Sequence, residues 1–306
     1  MKKVKIGRTL KASAISMGCM RIASMAPSEL AALLKTAVDG GIDFFDHADI
    51  YGGGASETVF AQAVKNESIS RNKLLIQTKC GIKKGLYDFS KEHITESLDK
   101  SLKRLDTDYV DVFLLHRPDT LMEPEEVAEA FTQIYRAGKA RYFGVSNHNS
   151  MQIRLLNKYL PEEMKIVVNQ LQFSPAHTGM IDVGLNVNMK NTASQDHDGS
   201  ILEFCRYEDI TIQAWSPFLY GNFEGVFLTS EKHSELNKAI NELAEEKKVS
   251  PEAIVIAWIL RHPANIQAIP GTTKKERLAS ICEAGNLKLS REEWYKIYIA
   301  GGNPLP

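Results

Sequence analysis

The 306-residue sequence predicts a single α/β domain spanning residues 1–306, a (β/α)8 barrel with a short N-terminal hairpin. Three observations lead there. Eight short apolar runs alternate with segments of helical periodicity. No linker or shift of composition divides the chain. The competing layout, a doubly wound nucleotide-binding sheet, calls for Gly-x-Gly-x-x-Gly after an early strand, and Gly52-Gly53-Gly54 lacks that pattern's third glycine and its setting.

In chain order, Val4 and Ile6 alternate before Gly7 turns the hairpin, and residues 14–18 run inward as the first strand. Ser28 is placed to cap a helix that carries Leu30, Leu33, Leu34, Ala37 and Val38 on one face, with Gly40 closing it. Residues 42–45 form a buried strand bounded by glycines. A helix over 56–66 and a strand over 73–79 follow. Ser90 caps a helix whose apolar face is Ile94, Leu98, Leu102 and Leu105. Residues 109–115 are the clearest strand. Pro124 and Gly138 bracket the next helix, and residues 141–145, 166–169 and 210–214 supply strands five to seven. Residues 175–199 read as a polar loop leading to a short helix near 200–208. Helices over about 231–247 and 251–261 precede an eighth strand at 265–269, and a last amphipathic helix starts near Lys274.

A formal net charge of −1 gives no basis for a nucleic-acid groove or an anionic membrane partner. The four cysteines (Cys19, Cys80, Cys205, Cys282) lack paired spacing, so reduced thiols in a cytoplasmic protein are expected. The N-terminal lysines have no apolar segment behind them, and no stretch reaches transmembrane length. Nothing in the pattern specifies an oligomeric state.

Barrel strands converge at their C-terminal ends, where catalytic side chains gather. Those ends carry Asp46, Lys79, His116, Ser146-Asn147, Gln170 and Trp215, with Tyr51 in the loop just after Asp46. The set has a chemical logic. A phenol has a pKa near 10, and a neighbouring ammonium lowers it. Lys79 is placed to do this for Tyr51, with Asp46 anchoring the lysine and His116 orienting a carbonyl oxygen. The arrangement suits hydride addition to a carbonyl with Tyr51 delivering the proton. Side chains supply no hydride, so a nicotinamide cofactor is implied.

Gly41-Ile-Asp-Phe-Phe-Asp46-His-Ala-Asp-Ile-Tyr51-Gly52, Gln77-Thr-Lys79-Cys80, Leu115-His116-Arg-Pro-Asp119, Gly138-Lys-Ala-Arg-Tyr-Phe-Gly-Val-Ser146-Asn147, Asn169-Gln170, Ala214-Trp215-Ser216-Pro217 and Ile269-Pro270-Gly271-Thr272 occur in this order. With these blocks the chain resembles the aldo-keto reductase family, and its His-Ala-Asp-Ile-Tyr and His-Arg-Pro-Asp variants look most like a bacterial oxidoreductase subgroup. The resemblance implies an NADPH-dependent enzyme that reduces aldehydes or ketones, with Asp46, Tyr51, Lys79 and His116 as the catalytic tetrad. It implies that Ser146, Asn147 and Gln170 hold the nicotinamide carboxamide and that Trp215 stacks on the ring where tyrosine is commoner. Ser216, Pro217, Phe218 and Gly221 would border the pyrophosphate. Gly271, Thr272, Thr273 and Arg277 would meet the adenosine 2′-phosphate. A helix N-terminus flanked by Lys274, Lys275 and Arg277 attracts a phosphate on physical grounds as well. Ser280-Ile281 stands where the family often carries Glu-Asn, a departure at the place where the resemblance would put the adenine contacts.

Substrate choice is expected from the loops at 20–27, 80–90, 175–199 and 217–230, with Met20, Arg21, Tyr87, Phe89, His177 and Phe218 as candidate lining residues. Two other classes compete. A barrel metallohydrolase would use Asp46, His47, His116 and Asp119 as ligands, but no His-x-His or His-Glu-x-x-His pair accompanies them. An NADPH-binding sensor or regulatory subunit would share the fold and cofactor and show little turnover. Asp111 and Arg141 read as members of a structural polar network.

Overall fold

The computed structural model describes residues 1–7, 9–221 and 224–305. β1 (Lys3–Ile6) and β2 (Leu10–Ser13) pair antiparallel as the hairpin. The barrel starts with β3 (Met17–Gly18), α1 (Pro27–Asp39), β4 (Phe44–Asp46), α2 (Ala55–Asn66) and β5 (Leu75–Cys80). A small surface hairpin, β6 (Ile82–Lys83) and β7 (Leu86–Tyr87), leads into α3 (Lys91–Leu105) and β8 (Val110–Leu115). Then come α4 (Pro124–Arg136), β9 (Ala140–Ser146), α5 (Ser150–Tyr159) and β10 (Ile166–Gln172). The chain continues through α6 (Gly179–Leu185), α7 (Ile201–Tyr207), β11 (Thr211–Trp215), α8 (Ser234–Lys247) and α9 (Pro251–Arg261). It ends with β12 (Gln267–Ile269), α10 (Lys275–Glu283) and α11 (Arg291–Ala300).

Strands β3, β4, β5, β8, β9, β10, β11 and β12 lie side by side in that order, all parallel. The ends meet: Ile15 bridges Ala268, Ser16 N–H donates to the Ala268 carbonyl at 2.8 Å and Gly18 N–H to that of Pro270 at 2.9 Å. This is a closed (β/α)8 barrel. Val-Asp-Val-Phe-Leu-Leu of β8 is buried at all six positions, because one face fills the barrel and the other meets the helices. Ile94 and Leu98 of α3 and Val127, Phe131 and Ile134 of α4 are buried with that layer. Phe131 stacks on Phe143 of β9 with centroids 4.1 Å apart. Each such side chain contributes about 1.5–3 kcal/mol of transfer free energy. The N-terminal hairpin is bound to the starts of the last two barrel strands, Thr211 Oγ1 donating to the Lys5 carbonyl (2.6 Å) and Gln267 Nε2 to that of Ser13 (2.7 Å). Asp46, Lys79 and His116 lie at the other end, where the strands finish.

Three details differ from the sequence reading. Ser28 does not cap α1; the helix begins at Pro27 after Ala26, whose N–H is met by Glu29. The 175–199 segment contains α6 rather than loop alone. α11 follows the helix expected to be last, opened by a Ser290/Glu293 capping box and fastened where Trp294 stacks on Trp258, centroids 4.9 Å apart. Asp111 accepts from Ile76 N–H and from Arg71 and Arg141, a network that ties β5, β8 and β9.

Candidate active site

Asp46 ends β4, Lys79 lies one residue before the end of β5, and His116 follows β8. Register explains the convergence, since Asp46 pairs with Gln77 and Lys79 with Leu114, so the neighbouring strand ends stand level. Lys79 Nζ lies 2.8 Å from Asp46 Oδ1 and donates to the Tyr51 hydroxyl at 3.1 Å and the His47 carbonyl at 2.7 Å. Tyr51 opens a short 3-10 turn, Tyr51–Gly54, in which Gly52 has φ +58° and Gly54 φ +94°. At Gly52 a Cβ would also sit 2.5 Å from that of Ala23, so only glycine lets this turn present the phenol. The Tyr51 and His116 rings meet edge to face at 5.9 Å.

Burial raises the Tyr51 pKa further than Lys79 lowers it, so the sequence expectation of a depressed phenol is corrected. The hydroxyl keeps its proton at neutral pH. Burial opposes the charge on Lys79, but Asp46 and Tyr51 outweigh it and the pKa is raised, leaving a firm ammonium. Burial, then Lys79 and Arg117, push His116 well below the ordinary histidine range, so the ring is neutral. Its Nδ1 is buried without a partner, which leaves Nε2 to meet a ligand.

A cavity of about 470 Å³ opens above this group. Asp46, Tyr51, His116, Ser146, Asn147, Gln170, Trp215, Ser216, Pro217 and Phe218 all border it. It runs on without interruption to Gly271, Thr272 and Arg277. Trp215 Nε1 donates to Asn147 Oδ1 at 3.2 Å, and Asn147 Nδ2 to Ser146 Oγ at 2.8 Å, which fixes these three side chains as a unit. The far end is the start of α10, whose N-cap residue Lys274 makes no side-chain cap and gives its own amide to Thr272 Oγ1 at 3.2 Å; such a helix start favours an anion. Arg277 there is paired through Nε with Glu252 Oε1 at 3.1 Å.

Met20 and Arg21 line the cavity as expected from the sequence. Tyr87, Phe89 and His177 are not among its lining residues. Tyr87 is exposed on the β6–β7 hairpin. Phe89 is buried under Gly81, where a Cβ would stand 2.1 Å from its ring, and stacks on His148. His177 closes a tight turn with Ser174. Gly221 and Thr273 also lie off the cavity wall; the Gly221 carbonyl accepts from Gln172. Arg117 and Glu252, unassigned from sequence, are on that wall. A strand-end arginine and an acid in a first helical turn carry no signal of their own. The metal-ligand set does not assemble: the His47 ring packs on Phe60, and Asp119 accepts from the Phe89 and Leu121 amides. Among the described residues no group of three or more His, Cys, Asp or Glu is placed to hold a metal ion. No described helix is long and apolar enough to cross a membrane.

Beside the tetrad, burial and then the Glu57 carboxylate raise Asp49 to about 6, and its Oδ1 has no partner. The folded state therefore holds this proton more tightly than the unfolded chain. Stability falls as pH rises from about 4 to 6, by up to about 3 kcal/mol before solvent screening reduces it. Asp49→Asn is expected to be more stable than the parent at pH 7.5 and close to it at pH 3.5, as read from urea midpoints. An equal difference at both pH values would refute this.

Comparison with known proteins agrees with the geometry. Residues 14–300 match the model of the Aldo/keto reductase family. An uncharacterized oxidoreductase of Bacillus subtilis, YcsN, is 35% identical over 98% of this chain and 98% of its own. The 6-dehydroglucose reductase of Agrobacterium fabrum is 30% identical, with 97% of each chain covered. The structure of a thermostable aldo-keto reductase, Tm1743, in complex with the inhibitor epalrestat matches with a TM-score of 0.78 at 28% identity, covering 98% of this chain and 100% of that one. The barrel, the tetrad at its open end and these likenesses place the chain in the aldo/keto reductase family of oxidoreductases.

Proposed function

We propose that this protein is an NADPH-dependent reductase of aldehyde or ketone carbonyls. The observation that carries the reading is the Asp46–Lys79–Tyr51 chain of contacts at the floor of one cavity that extends to Arg277. The cavity fits the cofactor by its chemistry. It has an acceptor and donor set at Ser146, Asn147 and Gln170, an aromatic face at Trp215, and a helix N-terminus beside a guanidinium for the phosphate. When bound, the nicotinamide supplies the hydride. The side chains do the rest. Neutral His116 donates from Nε2 to the carbonyl oxygen and orients it. Tyr51 transfers its hydroxyl proton to that oxygen as negative charge develops there, and Lys79 stabilises the phenolate left behind. Asp46 keeps Lys79 charged and in place. The raised pKa keeps Tyr51 protonated at neutral pH, the form that has a proton to give.

The deciding experiment is NADPH consumption with a panel of aldehydes, ketones and sugar-derived aldehydes. Turnover that disappears in Tyr51→Phe supports the reductase; tight NADPH binding without turnover on any member would favour a sensor instead. The Glu252–Arg277 pair makes a separate prediction. Arg277→Ala is expected to weaken NADPH binding about 10-fold or more and NADH little, the worth of a charge-assisted hydrogen bond. Glu252→Gln frees the guanidinium and is expected to tighten NADPH a few-fold. Equal affinities for both cofactors across all three proteins would remove Arg277 from the phosphate site.

A further inference from the structure

We infer that a ladder of buried glutamines beneath the site, Gln267, Gln213 and Gln77, acts as a set of positioning residues, aiming the Asp46 carboxylate and fixing which end of the Gln170 amide faces the cavity. The inference rests on the cofactor reading above. Barrel interiors are ordinarily filled by branched apolar side chains. Here the layer level with Asp46 is polar. Asp46 lies across from Gln77, and Gln170, Gln213 and Gln267 are successive cross-strand partners. Gln77 on β5 and Gln213 on β11 stand four places apart in a ring of eight strands, so their contact crosses the barrel axis. Each glutamine is at most 3% exposed.

The two ends of an amide have nearly the same shape, so its orientation is set by its partners. At the bottom of the ladder stands the Ser13 carbonyl, which only accepts. Gln267 must therefore donate from Nε2, at 2.7 Å, and its Oε1 is left to receive Gln213 Nε2 at 2.8 Å. Gln213 Oε1 in turn receives Nε2 of Gln77 (2.8 Å) and of Gln170 (3.1 Å). At the top stands Asp46 Oδ1, which accepts from the same two nitrogens at 2.6 and 3.0 Å. A carboxylate held by Lys79 only accepts as well. Both ends thus impose one polarity, and reversing a rung sets oxygen against oxygen. Gln77 obeys it although its own Oε1 is left buried without a partner.

Two consequences follow at the site. Asp46 Oδ1 is held from below, so Lys79 meets a carboxylate with one fixed orientation. Gln170 spends both N–H groups on the ladder and presents Oε1, an acceptor, to the cavity that it lines. That polarity selects a ligand with an amino hydrogen to give, as the nicotinamide carboxamide has, and penalises the acetylpyridine analogue, in which a methyl group replaces the amide nitrogen.

The test is calorimetric binding of NADP+ and of its 3-acetylpyridine analogue to the parent and to Gln213→Met, a substitution of similar length without polar hydrogens. The parent is expected to prefer NADP+ about 10-fold, the worth of one buried hydrogen bond. In Gln213→Met the Gln170 amide keeps only the Asp46 contact of the two that aim it, and the preference should shrink to about 3-fold or less. Gln213→Leu, which removes the same acceptor, carries the same test should the first variant not fold, as checked by circular dichroism. A preference that stays near 10-fold in a folded variant overturns the inference, as does a parent that binds both nucleotides equally. A parent that binds neither overturns the cofactor reading itself, and this inference with it.

Discussion

Tyr51→Phe is expected to lower kcat by about 10³-fold, inside the range of about 10²–10⁴ that general acid catalysis supplies. The affinity for NADPH should stay within a factor of two or so. The two effects separate because the hydroxyl touches Lys79 Nζ at 3.1 Å at the floor of the cavity, whereas Arg277 and Thr272 border its far end. Phenylalanine keeps the ring against His116 and removes only the proton donor. The measurement is a steady-state rate together with a fluorescence titration of the cofactor. A variant that turns over at even a tenth of the parental rate would transfer the donor role elsewhere, and one that loses NADPH binding would make the hydroxyl a binding group.

Lys79→Met carries the second large effect, this time on folding as well as rate. The lysine is 0% exposed and Asp46 3%, so the pair lies out of water. Removing one partner leaves the other charge buried alone, which costs about 3–5 kcal/mol. A urea titration should show that loss, and turnover should drop at least about 10²-fold because Tyr51 loses the cation that steadies its phenolate. The double variant Asp46→Asn/Lys79→Met then discriminates: it should recover much of the stability and none of the activity. Full stability in Lys79→Met alone would mean that Asp46 is neutral in the fold, and the account of the site would fail at its centre.

Much of this was legible in the sequence because barrel strands announce themselves. A run such as Val110–Leu115, buried on both faces, has no polar alternation, and its abrupt end at His116 marks the open rim of the barrel. Asp46, Lys79 and His116 stand out in the sequence that way, and Tyr51 by its place in the loop that follows Asp46. Side-chain direction was not legible. Phe89 sits in a loop that looks substrate-facing, yet Gly81 leaves a recess that draws its ring inward. The Tyr51 pKa was misjudged for a similar reason: a charged neighbour can be read from spacing, while the depth of burial that outweighs it is a property of the assembled fold. Gln77, Gln213 and Gln267 escaped notice because a glutamine in a strand ordinarily reads as a solvent-facing residue. α11 was passed over although Ser290-x-x-Glu293 is a helix-start signal that was there to be used.

The glutamine ladder also bears on how such a protein changes through descent. A substitution at Gln213 strands the oxygen of Gln267 below it and one N–H of each of two amides above it, so one replacement is harmful where a concerted exchange for apolar side chains is tolerable. Residues 77, 213 and 267 are far apart in the chain but form one unit of inheritance. Across related sequences the three should be kept or lost together, giving a covariation signal that links the third, seventh and eighth strands of the barrel.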